Sequence, residues 1–222
     1  AVWYIDASGN AVPVPNCKFD QATGTVKFST THFSKYAIVF VNKSFADISG
    51  YDWAKNQIEV MASKGIINGT SATTFGPSAN ITRADFLKLV ITALDLHADV
   101  TDNFSDVSND AYYYNTVGVA KKLGIVNGDG NGLFNPNAYI TRQDLMVIAA
   151  RALNIAKSGI ARGSASDLAK FNDVSSVAGY AKDSVETLVK NGIVTGANGN
   201  INPTQNTMRA EAAVIIYRLF NK

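Results

Sequence analysis

Cysteine is almost missing from this chain. Of 222 residues one is a cysteine, Cys17, and two are histidines, His32 and His97. An internal disulfide and any multi-cysteine metal site are thereby excluded. Two isolated histidines make a zinc site hard to build. The expected metal and cofactor sets are both none. Nor do these residues suggest a Ser-His-Asp or Cys-His arrangement, and no pair of acids stands out as a glycosidase pair. No catalytic residue is assigned, and the chain reads as a non-enzyme. Charge is scarce too, at 17% of residues, with a net +2 and no basic block. A nucleic-acid footprint is therefore missing. No apolar run reaches the roughly 18–20 residues of a membrane span, so no membrane partner is expected. No signal peptide opens the chain, whose first residues read as mature protein and as part of something longer. The 46% hydrophobic content suffices for a core. The polar load falls on Asn, Ser, Thr and Gly, a usage common in exported proteins.

What is present is repetition. "FADI" at 45–48 returns as "FSDV" at 104–107 and "FNDV" at 171–174. "SKGIING" at 63–69 returns as "KLGIVNG" at 122–128 and "KNGIVTG" at 190–196. "FGP" at 75–77 returns as "FNP" and "INP", and Arg83, Arg142 and Arg209 close the three sets. Phe45 to Phe104 and Arg83 to Arg142 are both 59 residues, and the next interval is 67 for both landmarks. Four landmarks in one order, three times, define a triplicated unit with copies at 43–103, 104–170 and 171–222.

Each copy reads as helix, loop, helix. Trp53, Ile58 and Met61 fall at helical spacing, and Lys64 with Gly65 ends the helix. Thr82 caps the second helix, whose stripe is Phe86, Leu87, Val90 and Leu94. The second copy repeats this with Tyr112, Val117, Ala120 and Gly124, then Thr141, Leu145, Ile148 and Ala149. The third has Tyr180, Val185, Leu188 and Gly192, then Ala213, Ile216 and Phe220. The link at 154–170, rich in Ala, Gly and Ser, reads as mobile. "NGDGNG" at 127–132 matches the start of a calcium loop, but Ala138 stands where a bidentate Glu belongs, so it reads as a turn. Residues 1–42 differ. "VWYI", "KFD", "TVKFSTTHF" and "YAIVF" read as three or four short strands. They form either the end of a truncated upstream β domain or a sheet packed on the helical part. The fold class is therefore mainly α, three helix-loop-helix motifs after a small antiparallel β region.

The quoted landmarks, in order and in triplicate over residues 43–222, resemble the S-layer homology family. "TTHFSKYAIVF" at 30–40 also resembles strands that precede such modules in some surface proteins. The resemblance implies pseudo-threefold symmetry around a central helix bundle, and a monomer that is its own intramolecular pseudo-trimer. It implies an extracellular place at the cell wall and surface layer. The implied function is non-covalent anchoring, with no bond made or broken. The implied partner is a secondary cell-wall polymer or other peptidoglycan-linked glycan, often ending in pyruvylated N-acetylmannosamine. The family's Thr-Arg-Ala-Glu motif supplies ligand-binding residues between motifs, which passes that role to Arg83, Arg142 and Arg209. The rival is a protein-protein or self-assembly module of the surface layer without direct sugar binding.

The residues carry their own alternatives. An arginine at a positive helix end opposes the dipole. Beside free backbone N–H groups, however, its fork makes a site for a carboxylate. Otherwise Arg83 pairs with Asp85 or with an acid such as Asp47, Asp106 or Asp173. Those three aspartates are either turn acids or acceptors for sugar hydroxyls. Trp53, Tyr112 and Tyr180 either stack on a sugar or line the core or groove wall. Gly69, Gly128 and Gly196 serve turns, and also permit close approach of a ligand. Asp85, Asp144 and Glu211 read as capping acids. Met208 replaces the threonine of the other copies, so the groove around Arg209 is expected to be the weakest.

Overall fold

The computed structural model describes residues 1–30, 32–157 and 160–222, which form two compact units, 1–77 and 78–222. In the first, β1 (Val2–Ile5) lies between β2 (Ala11–Val14) and β5 (Lys35–Ile38), both antiparallel to it. β3 (Lys18–Asp20) and β4 (Thr25–Lys27) make a separate hairpin. Five strands thus stand where three or four are expected. The added one is "AVPV", whose proline argues against a strand. Pro13 is tolerated because β2 is an edge, with β1 on one side alone. Thr31, within the segment read as closing strands, lies outside the described residues. Val2, Val14 and Cys17 form a small core under Tyr4, Val26 and Tyr36. Helix α1 (Asp52–Ser63) follows, and the Lys64 ammonium beyond it donates to the Cys17 carbonyl at 2.6 Å. The sheet region and α1 therefore share one unit.

The second unit holds α2 (Arg83–Ala93), α3 (Tyr114–Lys122), α4 (Arg142–Ala156), α5 (Lys182–Lys190) and α6 (Arg209–Phe220). α2 packs on α3, α4 and α6, and α4 packs on α5. The apolar stripes meet here: Phe86, Leu87, Leu145, Ala149, Ala213 and Ile216 are fully buried. Burying such side chains stabilises by about 1.5–3 kcal/mol each for the larger ones. The link expected to be mobile is shorter than its composition suggests. α4 runs through Ala156, and a 3-10 turn at Ala165–Leu168 is held at its start by Asp167, which accepts from the Ser164 N–H and hydroxyl. Ser158 and Gly159 of that link lie outside the described residues.

The starts of α2, α4 and α6 are joined by a closed ring of backbone hydrogen bonds. Ile81 N–H donates to Thr207 at 3.0 Å, Thr207 to Ile140 at 3.0 Å, and Ile140 to Ile81 at 3.1 Å. This gives the second unit its threefold centre. Each copy also carries the same loop clamp. The two oxygens of Asp47 accept from the N–H groups of Phe75 and Gly76, those of Asp106 from Phe134 and Asn135, and those of Asp173 from Ile201 and Asn202. The second residue gripped has positive φ in every copy, +70° at Gly76, +57° at Asn135 and +56° at Asn202. Gly and Asn are the residues that tolerate this region, which explains the alternation of "FGP", "FNP" and "INP".

The recurring phenylalanine packs on the recurring glycine. A Cβ on Gly128 would lie 2.8 Å from the Phe104 ring, and one on Gly196 would lie 2.4 Å from Phe171. Gly69 faces Phe45 in the same way at 2.6 Å. Gly124 has a similar positive φ but open space around it. Gly128→Ala should therefore cost about 2 kcal/mol or more, against about 1 kcal/mol for Gly124→Ala. Urea unfolding of the two variants checks this, and equal losses would contradict the Phe104 contact.

Candidate functional site

The helix starts are not open anion sites. In α2 the Arg83 N–H donates to Ala138 at 2.9 Å, Ala84 to Pro136 at 3.0 Å, and Asp85 to the Thr82 hydroxyl at 3.1 Å. α4 repeats this, with Arg142 donating to Gln205, Gln143 to Pro203, and Asp144 to Thr141. Arg209 N–H donates to Ala79 at 2.8 Å. The neighbouring copy's loop carbonyls thus satisfy amides that a helix normally leaves bare. The reading of free N–H groups beside the arginine is corrected. Those carbonyls place negative partial charge at the helix end, which lessens the cost of an arginine there.

The guanidiniums differ. Arg83 Nε donates to the Phe134 carbonyl at 3.0 Å, and its guanidinium carbon lies 5.1 Å from the Phe134 ring centre. Among the described residues no acid lies within ion-pairing distance of it. Arg142 Nε donates likewise to the Ile201 carbonyl at 2.8 Å. Its Nη1 also donates to Glu211 at 2.8 Å, and the residue is buried. The partner is therefore neither Asp85 nor the loop aspartates, which are engaged by their own loops. The sequence signal that could have found it is small. Glu211 is one methylene longer than Asp85 and Asp144.

Trp53, Tyr112 and Tyr180 are 51%, 61% and 60% exposed, so the core reading of them is corrected. Tyr112 and Tyr180 precede α3 and α5 rather than lying inside them. Tyr180 donates its hydroxyl to Asp144 at 2.7 Å, and Tyr112 donates to Asp85. The same two acids accept from the caps Thr141 and Thr82. Lys88 covers the Tyr112 ring at 4.9 Å. Met208 makes no side-chain cap, and Glu211 instead accepts from the Met208 N–H at 2.9 Å. Asp129, in the calcium-like segment, accepts from the N–H groups of Asn131 and Leu133, a turn arrangement. Among the described residues no helix is long and apolar enough to cross a membrane.

Burial and the hydrogen bond to Asp144 push the Tyr180 phenol up to about 12, with Arg83 near enough to pull the other way. Burial and Asp85 push Tyr112 up as well. A raised folded value means that the contribution of Tyr180 to stability is complete below its ordinary value of 10.0 and is lost as pH climbs through about 12. Phenolate absorbance of the protein minus that of Tyr180→Phe should show the missing phenol ionising near 12. Ionisation at the ordinary value would contradict the Asp144 contact.

The S-layer homology domain pattern matches residues 44–87, 103–146 and 170–213. The chain is 36% identical over its whole length to an amylopullulanase of Thermoanaerobacterium thermosulfurigenes, and covers 12% of that protein. It is 38% identical over 81% of its length to an exoglucanase of Acetivibrio thermocellus, covering 16% of it. It is 32% identical over 90% of its length to a surface-layer 125 kDa protein of Lysinibacillus sphaericus, covering 17% of it. The hydrolase names belong to those much longer proteins. Three tandem matches over these helices and loops make the chain a member of the S-layer homology domain family, an extracellular module that anchors proteins at the cell surface.

Proposed function

We propose that this module anchors by binding the acidic end of a peptidoglycan-linked secondary cell-wall polymer, with the carboxylate of a pyruvylated N-acetylmannosamine gripped by an arginine. The observation that carries the reading is Arg83. Its Nε is fixed by the Phe134 carbonyl, its face is backed by the Phe134 ring, and no acid of the described chain pairs with it. A guanidinium held at one nitrogen keeps its other nitrogens oriented toward a planar anion, and such charge-assisted bonds are the strong ones. The exposed Tyr180 nearby offers a ring for a sugar face and a polar tip held by Asp144.

The loop residues act through the backbone in this reading. Asp106 and Gly128 hold the loop that presents the Phe134 carbonyl, rather than meeting sugar hydroxyls. Asp47 with Gly69, and Asp173 with Gly196, do the same for their copies. The chain works as a monomer whose three motifs make an internal trimer. Avidity arises only if more than one groove engages neighbouring polymer chains.

Titration with synthetic pyruvylated N-acetylmannosamine, set against the unpyruvylated sugar, tests the carboxylate grip. The pyruvylated sugar should bind at least about tenfold more tightly, and Arg83→Ala should remove that preference. Equal affinities would sink the grip. Cell-wall sedimentation separates the rival. Binding that survives chemical stripping of the polymer would point to a protein or peptidoglycan contact instead.

A further inference from the structure

Two of the three motif arginines in the second unit, Arg83 and Arg142, are built alike up to their last atoms. Each lies at a helix start, each amide N–H is capped by the next copy's loop, and each Nε donates to that loop's carbonyl, Phe134 or Ile201. They part at Nη. Arg142 is ion-paired at 2.8 Å with Glu211, whereas Arg83 pairs with no acid among the described residues. The acid that corresponds to Glu211 one copy earlier is Asp144, and it is fully engaged elsewhere. One oxygen accepts from Thr141 and the other from Tyr180. Asp85 is held the same way by Thr82 and Tyr112.

Met208 breaks that arrangement. It has no hydroxyl to donate, so one oxygen of Glu211 turns to the Met208 N–H and the other reaches Arg142. The extra methylene of Glu supplies the reach. Resting on the reading that a ligand carboxylate is gripped by arginine, we infer that Glu211 is a built-in occupant of the second groove. It takes the place that the acidic sugar takes at Arg83. The Met208–Glu211 pair is therefore a specificity device that leaves the Arg83 groove as the receptive one of these two. The consequence of the missing threonine is felt at Arg142, one copy away from the helix that lacks it. A desolvated pair of this kind is displaced only by a ligand that replaces its hydrogen bonds, which an uncharged sugar hydroxyl does poorly.

The test does not need the sugar to bind. Methylglyoxal modification of the folded chain, mapped by mass spectrometry, reads how freely each guanidinium reacts. Arg83 should react at least about tenfold faster than Arg142, in line with one strong charge-assisted bond. The double variant Met208→Thr with Glu211→Asp restores the threonine-acid pair of the other two copies. It should raise the Arg142 rate about tenfold toward that of Arg83. Glu211→Ala provides a second route to the same release. Arg142 rates unchanged in both folded variants, or equal rates for Arg83 and Arg142 in the unaltered chain, would overturn the inference. Titration with the pyruvylated sugar then separates the two claims. With the occupant present, Arg142→Ala should leave affinity within about twofold, and the double variant should add a second site that depends on Arg142. Released reactivity with no sugar binding to any form would leave the occupant in place and refute the carboxylate ligand.

Discussion

Three backbone hydrogen bonds, Ile81 to Thr207, Thr207 to Ile140 and Ile140 to Ile81, close a ring on which the second unit depends. Ring closure of this kind fixes three segments far apart in sequence at once, so each bond is made in the company of the other two. Thr207, at the centre, is completely buried. Its backbone is paired on both sides, while its hydroxyl has no partner among the described residues. The ring sets the start of each long helix, and the start of each helix sets an arginine. Everything proposed about the glycan follows from that placement.

The same contacts explain why an arginine is tolerated at a positive helix end. The carbonyls of Ala138 and Pro136, and of Gln205 and Pro203, occupy the first amides of α2 and α4. With those donors used, the proposed anion grip falls to the side chain alone. Its usefulness then depends on what else lies within reach of Nη, a question of one methylene and one hydroxyl. Copies with nearly the same backbone can therefore differ in function. Duplication preserves the scaffold, and on the proposed reading the two or three side chains at each groove decide whether it receives a ligand.

Much of this was legible in the sequence because the repeat is long and strongly periodic. The boundaries of α2 and α4 follow from Thr82 and Thr141, which cap as expected. The buried stripes follow from 3.6-residue spacing. The departure at Met208 was visible too, as a lost cap. Its partner was not, because Arg142 and Glu211 are 69 residues apart and neither pattern nor propensity couples them. Gly128 and Gly196 have the positive φ that glycine tolerates, and their contact with Phe104 and Phe171 is a tertiary fact. Tyr112 and Tyr180 misled the helix reading. An aromatic at apolar spacing looks like core, and only the fold shows that these sit ahead of the helix with hydroxyls on the previous copy's acid. β2 was missed because Pro13 argues against a strand until its place at an edge is known.

The central claim is that the three helix starts are held as one cooperative ring. Native-state hydrogen exchange of the Ile81, Ile140 and Thr207 amides tests it most directly, since amides in one cooperative unit open together. The account predicts that all three exchange with the same opening free energy, near that of global unfolding, and shift together in any variant that breaks the ring. One of the three exchanging freely while the other two stay protected would contradict it.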